Sequence, residues 1–415
     1  MKPSSVLAAL LAATAGSPLA AQTTAYTGAT VWDGTPSPPL ANATLLVRDG
    51  RVVSVGTEPP PAGARVVSLA GKHVMPGLVD VHVHVTGRWA PLEIEDPRAR
   101  VEEELLLFAR YGVTTVNSLG DEPPEAFTAR DGQDTPTLAR ARVSVAGPVI
   151  VADTEEEARA AVAANGGVDW MKLRYDDNLG TVAKMPWEAV HGVVDEAHRR
   201  GYRVATHLFY LEDAKRLLRE GTDMVAHSIR DADVDAELMA LLRERRVCYV
   251  PTLTRELSTF VYAEVPAFFR DPFFRRWADA AEVARLSAPE ERRAFAESPA
   301  AARYRVGLAR AQRNLKALVE AGILVGMGTD VGPAGRFPGY FEHVELALMA
   351  EAGLTPPQVL RTATEGAAAC LGRDDIGTLQ PGRWADFLVL DADPLQDVEN
   401  TRRLAAVYIA GNPVR

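Results

Sequence analysis

Cysteine is nearly absent from this chain of 415 residues, which holds only Cys248 and Cys370. Two cysteines exclude a disulfide framework. Cys248 lies in an apolar, strand-like run and Cys370 in a small-residue helix, so both are expected as buried free thiols. A basic surface is also lacking. Lysine and arginine number 45 against 55 aspartates and glutamates, a formal net charge of −10, and this disfavours nucleic acid as a partner because phosphate binding needs positive charge. No Gly-x-Gly-x-x-Gly follows a strand pattern, which removes support for a dinucleotide site. Beyond the first twenty residues no apolar run reaches transmembrane length. Those first residues carry Lys2, an apolar run from Val6 to Ala13, then Gly16-Ser17-Pro18 and small residues through Ala21. A positive start, a short apolar stretch and a small-residue exit form a secretory signal. Residues 1–21 are therefore expected to be removed near Ala20 or Ala21, leaving a periplasmic or secreted protein with no stable membrane span.

The rest of the chain divides by pattern. Residues 22–72 read as short strands and turns, including a hairpin over 44–55 with Asp49-Gly50 at its tip; Asp-Gly suits a two-residue turn. Residues 376–415 repeat that style, with strands at 384–390 and 405–411. Neither end has enough core to stand alone, and together they are expected to form one small β-sandwich. Between them, over 73–375, strand and helix patterns alternate, the signature of a parallel sheet with crossover helices. Strands are expected at 79–84, 113–118, 142–146, 170–174, 203–207, 223–227, 247–251 and 323–328. Eight strands over such a length suit an α/β (β/α)₈ TIM barrel, with a doubly wound sheet as runner-up. A helix is expected from Glu102 to Tyr111, and another from the Thr355 cap through Leu371 to Gly372. The connection over 253–313 is rich in aromatics (Phe260, Tyr262, Phe268, Phe269, Phe273, Phe274, Trp277). It reads as either packing on the flank or a lid over substrate.

Barrel enzymes place their chemistry at the C-terminal ends of the strands. The first strand ends in His82-Val83-His84, whose two imidazoles share one face because side chains alternate, about 7 Å apart. Such a pair is suited to a divalent metal. Lys172 lies in the fourth strand, His207 ends the fifth, His227 the sixth and Asp330 the eighth. Six residues of metal-site type on five of the expected strands point to a metal centre.

This constellation resembles the amidohydrolase superfamily, the urease-like metal-dependent hydrolases. The resemblance runs from about residue 25 to the C-terminus. It includes the lead-in Met75-Pro76-Gly77-Leu78-Val79-Asp80 and the closing Gly377-Thr378-Leu379-Gln380-Pro381-Gly382-Arg383-Trp384-Ala385-Asp386. The runs Ala226-His227-Ser228 and Val250-Pro251-Thr252-Leu253 are most similar to the branch of imidazolonepropionase-like proteins and Xaa-Pro and Xaa-Arg dipeptidases. The resemblance implies two divalent metals, with zinc the default and manganese, iron or cobalt as substitutes. It implies that His82, His84 and Asp330 hold the first, His207 and His227 the second, and an N6-carboxylated Lys172 joins them. An ammonium group has donors but no acceptor, so only the carbamate can ligate. The implied reaction is attack of a metal-bridging hydroxide on a carbonyl, with Asp330 as general base and then general acid.

Deaminases of the superfamily show His-x-x-Glu from the fifth-strand histidine, whereas here the fourth position is Tyr210. Deaminase chemistry is thereby disfavoured, and Tyr210 becomes a candidate substrate contact. Arg174, Arg230 and Arg255 follow strands four, six and seven, where a guanidinium can clamp a carboxylate. The substrate class expected is a small N-acyl amino acid, dipeptide or cyclic amide. A lactone or ester on the same site is the alternative, and a non-catalytic periplasmic binding protein the remaining one. His343 reads as structural, and His191 and His198 as exposed.

Overall fold

The computed structural model describes residues 23–415, so the expected signal segment at 1–21 lies outside the described residues. Both chain ends pair into one hydrogen-bonded sheet. Its N-terminal members are β1 (Thr24–Val31), β2 (Leu40–Arg48), β3 (Arg51–Gly56), β4 (Arg65–Ser68) and β5 (His73–Pro76). Seven parallel strands follow: β6 (Leu78–Val83), β7 (Val113–Ser118), β8 (Arg142–Ser144), β9 (Trp170–Arg174), β10 (Arg203–His207), β11 (Met224–Ala226) and β12 (Cys248–Val250). The chain closes with β13 (Phe387–Leu390), β14 (Leu404–Ile409) and β15 (Asn412–Pro413). The terminal sheet runs β15-β14-β13-β5-β1-β2-β3, with β4 beside β1. The β2–β3 hairpin turns at Asp49 (φ 53°) and Gly50 (φ 74°), the two positive-φ positions that the Asp-Gly pair accommodates. β5 belongs to this sheet through β1 and β13, so the chain leaves it at Gly77. A Cβ there would fall 2.1 Å from Thr114 Oγ1, and glycine alone fits that crossing.

The alternation of strand and helix is as the pattern indicates, an α/β arrangement of parallel strands. β6-β7-β8 form one sheet and β9-β10-β11-β12 a second. Single bridges continue the pairing, Ile150 to Leu173 between the two sheets and Tyr249 to Val325 beyond β12. The eighth expected strand, 323–328, is not a regular strand. Its backbone bonds are scattered: Tyr249 N to Leu324 O at 2.9 Å and Val81 N to Met327 O at 2.9 Å. Close approach explains the irregularity. A Cβ on Gly326 would lie 2.8 Å from Cys370 Sγ, and one on Gly328 2.4 Å from Val250 Cγ1. The segment is pressed between β12 and β6.

Two helix expectations need correction. The helix expected at Glu102 begins at Pro97, because the Asp96 carboxylate accepts from Ala99 N and proline fills the first turn. The helix expected over 355–371 is broken into Pro356–Thr362 and Glu365–Leu371. The break releases two carbonyls. Thr362 O accepts from Met327 N and Ala363 O from Val79 N, both at 2.8 Å.

The thiol expectation is also overturned: Cys248 and Cys370 are disulfide-bonded, their Cα atoms 5.3 Å apart. The bond ties β12 to the helix at Glu365–Leu371 across 122 residues. Closing so long a loop restricts the unfolded chain by about 2–5 kcal/mol. Replacing both cysteines by alanine is expected to lower the urea midpoint accordingly, and an unchanged midpoint would deny the bond a structural role.

The aromatic connection faces inward. Phe260, Tyr262, Phe269, Phe273 and Phe274 are buried and Trp277 alone of the group is exposed; Phe269 and Phe274 pack on Phe337, Phe273 and Phe274 on Tyr340, and the half-buried Phe268 on Phe341. Packing, rather than cover over the strand ends, accounts for them.

Candidate metal centre

A cavity of about 360 Å³ opens at the C-terminal ends of the parallel strands. His82, His84, Lys172, His207, His227 and Asp330 all line it, with Asp121, Val149, Val151, Arg174, Arg255, Pro333 and Arg336 around them. All six expected side chains are thus brought to one place. A larger groove of about 520 Å³ lies on the flank beside Trp277, but it collects no histidines.

The geometry is tight. The His207 and His227 rings lie 4.3 Å apart, His227 and His82 4.6 Å, and His82 and His84 5.6 Å. Ligand atoms of His82, His227 and Asp330 all fall within 4.8 Å of one another. Asp330 Oδ1 is 2.9 Å from His84 Nε2 and 3.4 Å from His82 Nε2. Lys172 Nζ is 3.1 Å from His82 Nε2. His227 (φ 96°) and Asp330 (φ 60°) both adopt left-handed backbone. Non-glycine residues held there cluster at functional sites.

Burial sets the charges. It pulls His82 and His227 well below the ordinary imidazole range and His207 to about 3, so all three are neutral at pH 7. The Lys172 amine, also buried, falls to about 8. Burial pushes the Asp330 carboxyl up, but Arg336 and the hydrogen bond from His84 outweigh it and keep it ionised. Three of the four imidazoles are oriented from outside. His84 Nδ1 donates to Gly120 O at 3.0 Å, His227 Nδ1 meets Thr252 Oγ1 at 2.8 Å, and His207 Nε2 meets Asp176 Oδ2 at 2.9 Å. Such partners hold ligating histidines in register.

The expected substrate contacts separate into two pairs. Arg174 and Arg255 line the cavity. Arg230 does not: it is buried, its Nη1 paired with Glu256 and its Nη2 donating to Leu208 O at 2.6 Å. Desolvation of its charge demands that partner, so the guanidinium is committed to Glu256 rather than to this cavity. Tyr210 also points elsewhere, donating to Asp177 at 2.9 Å beneath Lys184. His343 is buried between Tyr111 O and Thr401, while His191 and His198 are exposed.

Two residues near the site were not anticipated. Arg336 contacts Asp330 Oδ2 through Nη1, which also donates to the Asp330 carbonyl at 2.9 Å. The glycines of Gly332-Pro333-Ala334-Gly335 are its one sequence signal. A Cβ on Gly332 would fall 2.1 Å from His84 O, so this loop must double back over the site. Asp176 carries no periodic signal; its role depends on how the loop after β9 curls.

Residues 73–414 match the model of the amidohydrolase family. The chain belongs to the amidohydrolase family. This amidohydrolase is 31% identical over 368 residues to an uncharacterized protein of Mycobacterium bovis, covering 85% of this chain and 86% of that one. It is 29% identical over 396 residues to the imidazolonepropionase of Deinococcus radiodurans, covering 90% and 92%. Among solved structures, it resembles a Bifidobacterium longum protein provisionally described as a prolidase. That likeness has a TM-score of 0.75 and 27% identity, and covers 95% of this chain and 94% of the other. An Xaa-Pro dipeptidase at 21% identity shares the fold with a TM-score of 0.73. The amidohydrolase is thus a hydrolase acting on carbon–nitrogen bonds, which sets aside the non-catalytic binding protein.

Proposed function

We propose that this chain is an exported, metal-dependent amidohydrolase that cleaves the amide bond of a small carboxylate-bearing substrate: an N-acyl amino acid, a dipeptide or a cyclic amide. The (β/α)₈ barrel is the frame we assign to its two parallel sheets and the glycine-rich segment between β12 and β6. The observation that carries the reading is the gathering of four imidazoles, a buried amine and a buried carboxylate in one cavity.

That donor set fits divalent metal. Three of the rings are neutral, and His82 Nδ1 is buried with no hydrogen-bond partner, so these imidazoles have lone pairs to offer a cation. His82, His84 and Asp330 would hold one ion and His207 and His227 another, with zinc the default for nitrogen and oxygen donors. Ions held there would supply Lewis acidity toward a carbonyl and lower the pKa of water. Lys172 would join the two sets as a carbamate. Its buried amine, with a pKa near 8, is partly neutral at physiological pH and so able to take up CO₂.

The chain's own residues do the rest. Asp330, ionised beside two imidazoles, accepts a proton from the attacking water and returns it to the departing amine nitrogen. Arg336 and Arg255 flank that carboxylate, Arg255 Nε lying 4.0 Å from it, and with Arg174 they give the mouth a positive lining. A substrate carboxylate fits there as the complementary charge. Export is supported by the Cys248–Cys370 bond, since disulfides persist in oxidising compartments.

The test is metal analysis and a substrate screen on the chain lacking residues 1–21. About two equivalents of metal are expected, with loss of activity on chelation and recovery with zinc. Xaa-Pro and Xaa-Arg dipeptides, N-acyl amino acids and cyclic amides that bear a carboxylate are expected to turn over, and their carboxamide analogues to react about tenfold more slowly. Arg174 lines the cavity without touching Asp330, and Arg174→Met should raise KM for the anionic substrates alone. Turnover of lactones without any amide would overturn the assignment.

A further inference from the structure

We propose that Asp176 is a positioning residue that fixes the ring tautomer of His207 and thereby leaves its Nδ1 with the lone pair that a metal would need. The inference rests on the metal-dependent reading above. A neutral imidazole has one donor and one acceptor nitrogen, and its partner selects which is which. An ionised carboxylate only accepts. Asp176 Oδ2 lies 2.9 Å from His207 Nε2, so Nε2 carries the proton and Nδ1 keeps the lone pair. The carboxylate is held in place. The Asp176 side chain is 1% exposed, and its Oδ1 accepts from Asn178 N at 3.1 Å.

The backbone builds this contact. β9 and β10 are in parallel register with Arg174 opposite His207, and Tyr175 N donates to His207 O at 2.9 Å. The loop after β9 therefore curls over the end of β10. It brings a carboxylate four residues after Lys172 against the neighbouring strand's histidine. The next residue, Asp177, holds the Tyr210 hydroxyl at 2.9 Å, so consecutive aspartates grip the end of β10 and the loop beyond it.

His207 differs here from the other imidazoles. His84 is oriented by a neutral carbonyl and His227 by a hydroxyl that can either donate or accept. Asp330 also meets His84 and His82, but it belongs to the proposed ligand set; Asp176 is a charged acceptor from outside that set, which both selects the tautomer and raises ligand basicity. A merely structural ion pair would stabilise the fold without any preference for the ring proton.

The decisive variant is Asp176→Asn, because its amide can donate to Nε2 and move the ring proton to Nδ1. Nitrogen-15 imidazole spectra of the metal-free protein should show His207 protonated at Nε2 in the wild type and shifted toward Nδ1 in the variant. Zinc affinity, read by competition with a chromophoric chelator, should fall about 10–100-fold for one of the two equivalents. The melting temperature of the metal-free protein should change little, and Asp176→Glu should restore part of the affinity. A wild-type His207 protonated at Nδ1, or unchanged zinc affinity in Asp176→Asn, would overturn the proposal. Should Asp176→Asn fail to fold, the wild-type spectrum decides alone. Should the wild type bind no zinc, the metal reading fails, while the spectrum still reads the tautomer separately.

Discussion

Asp330→Asn is expected to lower turnover by about 10²–10⁴-fold, the range of general acid–base catalysis, while metal content stays near that of the wild type. The side chain keeps its shape and one ligating oxygen but can no longer take up a proton. Its surroundings explain why so much depends on it. Oδ1 faces His84 and His82 at 2.9 and 3.4 Å, and Oδ2 is held by Arg336. Burial alone would protonate such a carboxyl, and Arg336 with His84 prevents it. The acceptor is thus ionised before substrate arrives, and Asn cannot reproduce that state. Turnover rates measured alongside metal analysis check the prediction. Loss of metal together with activity would make Asp330 a ligand alone, and preserved turnover would remove it from proton transfer.

Asp386→Ala is expected to destabilise the fold by about 3–5 kcal/mol, the cost of leaving a buried charge without its partner. Arg142 and Asp386 are 0% and 5% exposed, with Nε and Oδ2 3.0 Å apart. The guanidinium stacks on Trp384 at 4.0 Å and donates to Gln133 O at 3.0 Å. Asp386 also accepts from Ala410 N at 2.7 Å, and its carbonyl from Gly77 N at 3.0 Å. One carboxylate therefore docks the terminal sheet onto β8. The exposed pair of Lys72 and Asp391, by contrast, should be worth under about 1 kcal/mol. Urea unfolding of Asp386→Ala beside Asp391→Ala separates the two. The double change Arg142→Met with Asp386→Ala should recover part of the loss, because no buried charge is then orphaned. Equal midpoints for the two single variants would refute the docking role.

The same residues show what was legible. Trp384-Ala385-Asp386 and Met75-Pro76-Gly77 stood out as motifs before any contact was known, and their reason is now physical: a buried ion pair and a crossing too close for a Cβ. The Asp49-Gly50 turn was readable because positive φ at two successive positions restricts the residue types. His82 and His84 were readable because strand alternation fixes their common face. Arg230 was not, since a cation at a strand end looks the same whether it meets substrate or a buried Glu256. The aromatics of 253–313 were ambiguous for a related reason. Composition shows that rings must be buried but not against which surface.

Local patterning alone, then, sufficed for the parallel α/β repeat, the paired terminal strands and the six side chains at the strand ends. These depend on periods of two and 3.6 residues and on backbone angles, all of which are short-range. The disulfide across 122 residues, the broken helix at Ala363, the grip of Asp176 on His207 and the return of Arg336 to Asp330 were decided only by packing. Each joins groups whose separation along the chain carries no period, and their meeting is set by how loops close over strands already in place.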